Sequence, residues 1–167
     1  MLKFYLAQIK EGHSTIVVEA NPSEVDLHEH PEFVNPLRVC YTVDRVGDEI
    51  FVKTRLQTSV QLTCDRCLEP YLLNLDEVID AVMTHDDKLA SREEEDIYLI
   101  NKSTREVDIT ESVRQTLLLA IPYKKLCRED CKGLCPRCGA NLNTAPCTCD
   151  QTKRDPRWDA LRNLNFE

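Results

Sequence analysis

From Leu37 onward the chain alternates between apolar and polar residues. Leu37, Val39, Tyr41 and Val43 fall at every second position, the period of a strand with one buried face. Gly47-Asp48 supplies a turn, and Ile50, Val52, Leu56, Val60 and Leu62 then hold one parity through a long second run. After CDRCLEP the alternation returns with Tyr71, Leu73, Leu75, Ile79, Ala81 and Met83. Three such runs joined by short turns predict an antiparallel meander with one face that needs cover. The period then changes. In DITESVRQTLLLAIP, Val113, Leu117 and Ala120 or Ile121 share a helical face, with Asp108 or Thr110 as cap and Pro122 as stop. That helix is expected to lie on the sheet.

The flanks of this pattern are less regular. LKFYLAQI and TIVVEA each read as a short strand, and NPSEVDLHEHPEFVNP, with three prolines, reads as a loop or edge segment. HDDKLASREEED, residues 85 to 96, is a charged interruption expected to be a mobile loop, after which IYLI resumes a strand. From Leu126 to Lys153 large apolar residues are scarce, so hydrophobic burial cannot order this stretch by itself. DPRWDALRNL predicts a last short helix, with Asp155 at the cap and Pro156 in the first turn. The fold class expected is α+β: residues 1–122 form an antiparallel sheet with one main helix, and residues 123–167 form a cysteine-rich tail.

Composition narrows the classes of function. The 167 residues are 42% hydrophobic and 30% charged, an ordinary balance for a water-soluble domain. No apolar run approaches the roughly 20 residues needed to span a bilayer. The N-terminus lacks the apolar core and small-residue cleavage site of a secretory signal, so a reducing cytoplasmic location is expected. The net charge of −8 is uneven. Residues 121–167 carry nine Lys/Arg against six Asp/Glu, a balance of +3, which leaves −11 for residues 1–120. An acidic body argues against general nucleic-acid binding, while a basic tail keeps a local version open.

The candidate chemistry is concentrated in the nine cysteines. Eight fall into four close pairs: Cys64 with Cys67, Cys127 with Cys131, Cys135 with Cys138, and Cys147 with Cys149. Two pairs commonly make one tetrahedral zinc site. In CPRCG the two-residue gap turns both thiolates toward one ion, and the following glycine permits the positive φ that such a knuckle favours. Cys135, Cys138, Cys147 and Cys149 therefore predict one closed local site. Cys64 and Cys67, at a strand-to-strand turn, could meet Cys127 and Cys131 in a second site that pins the tail to the sheet. Four half-sites can be matched in three ways, and spacing does not choose among them. Closed all-cysteine knuckles favour structural zinc, although spacing leaves iron open. One structural zinc contributes on the order of 10–16 kcal/mol in small zinc peptides, the size of term that an apolar-poor tail needs. Cys40 is left over, and a spare buried thiol is expected there.

Other chemistry has little to stand on. His28-Glu29-His30 and His85-Asp86-Asp87 read as solvated loop residues. Neither GxxxxGK[ST] nor GxSxG occurs. For nucleic acid, Lys153, Arg154, Arg157 and Arg162 form the best candidate contact patch, aided by Lys124, Lys125, Lys132 and Arg137. Trp158, Leu161 and Leu164 share a helical face that is better used for packing than for stacking on a base.

The meander ending in CDRCLEP, the segment VDITESVRQTLLLAIPYKKLC, the block CREDCKGLCPRCGANLN and the closing DPRWDALRNL together resemble the YceD family of large ribosomal RNA subunit accumulation proteins. The resemblance covers roughly residues 35 to 164. It implies a non-enzymatic factor in large-subunit biogenesis that supports accumulation of the ribosomal RNA. It marks Cys64, Arg66 and Cys67 as the family signature, then Cys127, Cys131, Cys135 and Cys138. The expected partner is ribosomal RNA or a large-subunit ribosomal protein, with no membrane and no small-molecule substrate. The rival readings are a thiol-disulfide oxidoreductase working through its CxxC motifs, and a zinc-containing transcription regulator.

Overall fold

The computed structural model describes residues 2–86, 97–101 and 103–149. Its centre is the predicted meander: β3 (Leu37–Val46), β4 (Glu49–Thr63) and β5 (Pro70–Thr84), each antiparallel to the next. β2 (Gly12–Ala20) pairs antiparallel with β3 on the outer side and turns the TIVVEA stretch into a full edge strand. β6 (Ile97–Leu99) completes the five-stranded order β2-β3-β4-β5-β6. It runs parallel to β5, so the sheet is mixed at this edge and not wholly antiparallel as expected.

The parity read from the sequence is the parity of burial. Val39, Val43, Leu56 and Val60 are fully buried on one face, with Leu37, Ile50, Val52, Leu62, Leu75, Ala81 and Met83 beside them. Among the described residues the opposite face is open and mixes polar side chains with exposed Val17, Phe51, Leu72 and Val78. There Arg55 donates two hydrogen bonds to Asp76, at 2.7 and 2.6 Å, and Lys53 faces Asp80 at 3.6 Å.

The covering layer comes from three places. α1 (Thr110–Leu119) packs against β5 and sends Val113 and Leu117 into the core, both fully buried. Truncating Leu117 to Ala removes contacts worth about 2–5 kcal/mol. Its entry is fixed by Asp108, whose carboxylate accepts the Thr110 N–H at 2.9 Å, while the Thr110 hydroxyl accepts the Leu2 N–H at 2.8 Å. The N-terminal LKFYLAQI splits into β1 (Lys3–Tyr5) and a 3-10 turn at Leu6–Gln8. β1 pairs with β7 (Glu106–Asp108) in a separate two-stranded sheet. Phe4 meets Tyr41 edge-on, with ring centroids 4.6 Å apart.

The proline-rich segment 21–36 is the third source, and it does more than an edge loop would. A 3-10 turn at Pro22–Val25 is held by a capping box between Asn21 and Glu24. The segment buries Val25, Leu27 and Phe33 in the core. The expected mobile loop falls mainly on residues 87–96, outside the described residues, as does the expected terminal helix at DPRWDALRNL.

Candidate metal centres

The β4–β5 turn is built around Cys64-Asp65-Arg66-Cys67. The Cys64 carbonyl accepts the Leu68 N–H at 2.9 Å, and the Cys64 N–H donates to the Glu69 carbonyl at 3.0 Å. The hairpin closes only because Leu68 takes a left-handed φ of 58°. Residues after α1 cross over this turn. Asp65 binds Lys125 twice through its backbone, donating its own N–H to the Lys125 carbonyl at 2.8 Å and accepting the Lys125 N–H on its carboxylate at 2.7 Å. Arg66 reaches further along the same segment, donating to the Cys131 carbonyl at 2.9 Å and the Glu129 carbonyl at 3.3 Å. The result is a quartet: Cys64 and Cys131 sulfurs 3.8 Å apart, Cys67 and Cys127 sulfurs 3.7 Å apart, all four within 4.8 Å of one another.

A second hairpin repeats the first. Gly139 N–H donates to the Cys135 carbonyl at 2.9 Å, and Cys135 N–H donates to the Ala140 carbonyl at 2.8 Å. Here the left-handed position belongs to Gly139, with φ 72°. Glycine fits that conformation without the Cβ clash that Leu68 must tolerate. Cys135, Cys138, Cys147 and Cys149 form the second quartet, with Cys147 at 3.4 Å from both Cys135 and Cys138. The two quartets are bound back to back through Gly133, where φ is 73° and an added Cβ would lie 3.0 Å from the Arg66 carbonyl. That carbonyl accepts the Leu134 N–H at 3.1 Å.

The donor sets fit a closed tetrahedral ion. A zinc–sulfur bond of about 2.3 Å places tetrahedral sulfurs about 3.8 Å apart, far from the disulfide length of about 2 Å. Two sulfur pairs of the first quartet already have that edge, at 3.8 and 3.7 Å, while two of the second are a few tenths of an ångström tighter. Backbone N–H groups also converge on the sulfurs, as thiolate ligands require. Amides led by that of Cys127 hold Cys64 down at about 6, and amides led by that of Cys138 hold Cys135 down at about 6. Burial, then the neighbouring sulfurs, push Cys127 up to about 12. Sulfurs this close cannot all ionise unless a cation sits among them. With four protein sulfurs around it, such an ion has no open position, so it cross-links the chain and does not activate water or substrate.

The remaining candidates behave differently. Cys40 is only half-buried and lies on the open face of the sheet, laterally paired with Val17 and Arg55, so the expected buried thiol is corrected. Its parity, opposite to Val39 and Tyr41, puts it on the face that no second layer covers among the described residues. Among the described residues, His28 and His30 join no metal-like cluster; His30 lies 3.5 Å from Glu32. His85 meets the Ile100 carbonyl at 2.7 Å. Lys124, Lys132 and Arg137 are exposed near the quartets. Lys153, Arg154, Arg157 and Arg162 lie outside the described residues. Two contributors escape sequence reading: Asp65, which anchors the crossing segment, and Asn143, which donates to the Cys131 sulfur at 3.4 Å. Neither belongs to a spacing pattern, and only the fold brings them to the sulfurs.

The family model described as "Large ribosomal RNA subunit accumulation protein YceD" matches residues 52–165. The chain belongs to the YceD family. The matched stretch begins within β4 and takes in all eight quartet cysteines. Among curated relatives, the chloroplastic YCED homolog 1 of Arabidopsis thaliana, named a large ribosomal RNA subunit accumulation protein, is 28% identical over 165 residues. That alignment covers 83% of this chain and 51% of the relative. An uncharacterized protein of Mycobacterium bovis is 26% identical over 121 residues, 71% of this chain and 57% of the relative. YlbN of Bacillus subtilis is 26% identical over 134 residues, covering 78% and 75%. The chain thus spans about half the length of the first of these YceD relatives. No solved structure matches it. No helix among the described residues is long and apolar enough to cross a membrane.

Proposed function

We propose that this YceD-family chain is a non-enzymatic factor in ribosome large-subunit biogenesis, acting in the cytoplasm to support accumulation of the large-subunit ribosomal RNA. The observation that carries the reading is the family match over residues 52–165, which embraces both cysteine quartets. In this reading each quartet holds a structural Zn2+: Cys64, Cys67, Cys127 and Cys131 in one, Cys135, Cys138, Cys147 and Cys149 in the other. Residues 1–122 are the acidic body and residues 123–167 the zinc-ordered tail. The partner is ribosomal RNA or a large-subunit ribosomal protein, and the basic residues Lys153, Arg154, Arg157 and Arg162 are the proposed RNA contacts.

Two features weigh against the rival readings. An exchanging CxxC needs an attacking thiolate within reach of a substrate disulfide. Cys64 and Cys67 are buried, and each lies opposite a cysteine of another segment. A transcription regulator of the helix-turn-helix type needs two adjoining helices, and α1 is the one α-helix among the described residues.

The test is sedimentation of ribosomal particles from cells carrying a tagged copy, together with depletion of the protein. The tagged chain should migrate with large-subunit precursors, and depletion should lower large-subunit RNA relative to small-subunit RNA. A tagged chain confined to free protein fractions, with unchanged RNA ratios on depletion, overturns the proposal.

A further inference from the structure

Asn143 belongs to one quartet by sequence and to the other by contact. It sits in the loop between Cys138 and Cys147, both ligand positions of the second quartet. Yet its side-chain Nδ2 points at the Cys131 sulfur of the first quartet, 3.4 Å away. The orientation of the amide is fixed by its other end. Oδ1 accepts the Lys132 N–H at 2.8 Å and an Arg128 guanidinium N–H at 2.8 Å, so the NH2 end is left facing sulfur and Asn141 Oδ1. The loop that carries Asn143 is in turn tied to Gly133, the junction between the two quartets. The Leu142 N–H donates to the Gly133 carbonyl at 2.9 Å, and the Asn143 N–H donates to Asn141 Oδ1 at 3.0 Å. Asn141 also reaches Glu69, beside the first hairpin, at 3.4 Å.

We infer that Asn143 is a positioning residue that couples the two metal sites: an ion in the second quartet closes the 138–147 loop and so delivers the amide that completes the shell around Cys131. The inference rests on both quartets binding Zn2+. A hydrogen bond from an outer partner to a ligating thiolate stabilises its charged form and aims it at the ion, and losing such a partner typically weakens metal binding about 10–100-fold. The second quartet, whose four ligands lie within fifteen residues of one another, needs no help from the sheet to assemble. The first quartet needs Cys131 held in place from that side. Coupling of this kind is reciprocal, so the first ion strengthens retention of the second by the same factor.

The experiment uses the full chain loaded with cadmium, which reports each four-sulfur site as its own NMR signal, under competition with a chelator. Asn143→Ala should weaken the first site about 10–100-fold while the second site keeps its ion. Cys147→Ser with Cys149→Ser, which disables the second quartet, should weaken the first site by a comparable factor. Adding Asn143→Ala to that background should then change little, because the loop no longer presents the amide. A first site indifferent to loss of the second, or an Asn143→Ala penalty that persists in full without the second quartet, overturns the coupling. A wild-type chain that takes up no ion in either quartet overturns the zinc reading itself, and that result appears before any variant is made.

Discussion

The sheet and the cysteine-rich end are held by different forces. In the sheet, Val39, Val43, Leu56 and Val60 meet Val113 and Leu117 of the helix, and order comes from apolar area removed from water. At the other end, residues 123–149 bury little beyond Cys131, Cys135 and Gly133. Their order comes from backbone carbonyls gripped by Arg66 and from amides aimed at sulfur and, in the proposed zinc reading, from an ion held by each quartet. Hydrophobic burial is spread over many residues and degrades gradually as they are trimmed. Coordination is concentrated in four atoms and fails all at once.

Chelation is the strongest way to test that contrast. Under the proposed zinc reading, stripping both ions removes a term that runs to about 10–16 kcal/mol per structural zinc in small peptides. Residues 123–149 should lose their amide protection in hydrogen exchange while β3, β4 and β5 keep theirs. If the tail stays protected in metal-free protein, as judged by elemental analysis, the contrast is broken. Next in size is Leu117→Ala. It should lower global stability by about 2–5 kcal/mol in denaturant titration and leave the metal content unchanged. A large fall in bound metal alongside would mean that the two regions are not separately held.

The smallest effect compares the two hairpins directly. Leu68 and Gly139 occupy the same place in matching turns, with φ 58° and 72°. Leu68→Gly should stabilise the first turn by about 1 kcal/mol, because a left-handed non-glycine residue costs about 1–2 kcal/mol. Gly139→Leu should cost the second turn a similar amount. Thermal unfolding of the two variants decides it, and equal and unchanged midpoints would show that the turns tolerate strain differently than their backbones suggest.

Much of this was legible in the chain. The alternation from Leu37 to Met83 named the strands and the buried parity, because a period of two leaves one solution when one face is covered. The CPRCG spacing named the second quartet and its positive-φ glycine. Other features were hidden for physical reasons. The match of Cys64 and Cys67 with Cys127 and Cys131 depends on Asp65 and Arg66 gripping backbone groups, and backbone groups leave no mark in a sequence. Val25, Leu27 and Phe33 sit among acids and prolines without a strand or helix period, so their burial was masked. β6 pairs parallel through only three residues, too few to state a direction. The same spacing that suggested a local site could not tell that the long-range quartet would be the more deeply enclosed of the two.

The first quartet joins cysteines separated by 67 and 60 positions. During synthesis, the turn bearing Cys64 and Cys67 leaves the ribosome with two of the quartet's four sulfurs and waits for the other two. At about 5–20 residues per second the wait lasts seconds. Throughout that interval two neighbouring thiols stand uncapped, and Cys64 still lacks the Cys127 amide that leads its stabilisation in the folded chain. Oxidant arriving then would lock them to each other and deny the later cysteines their partners. The newborn chain is therefore most open to redox damage before it is finished, and least open once Cys127 and Cys131 arrive.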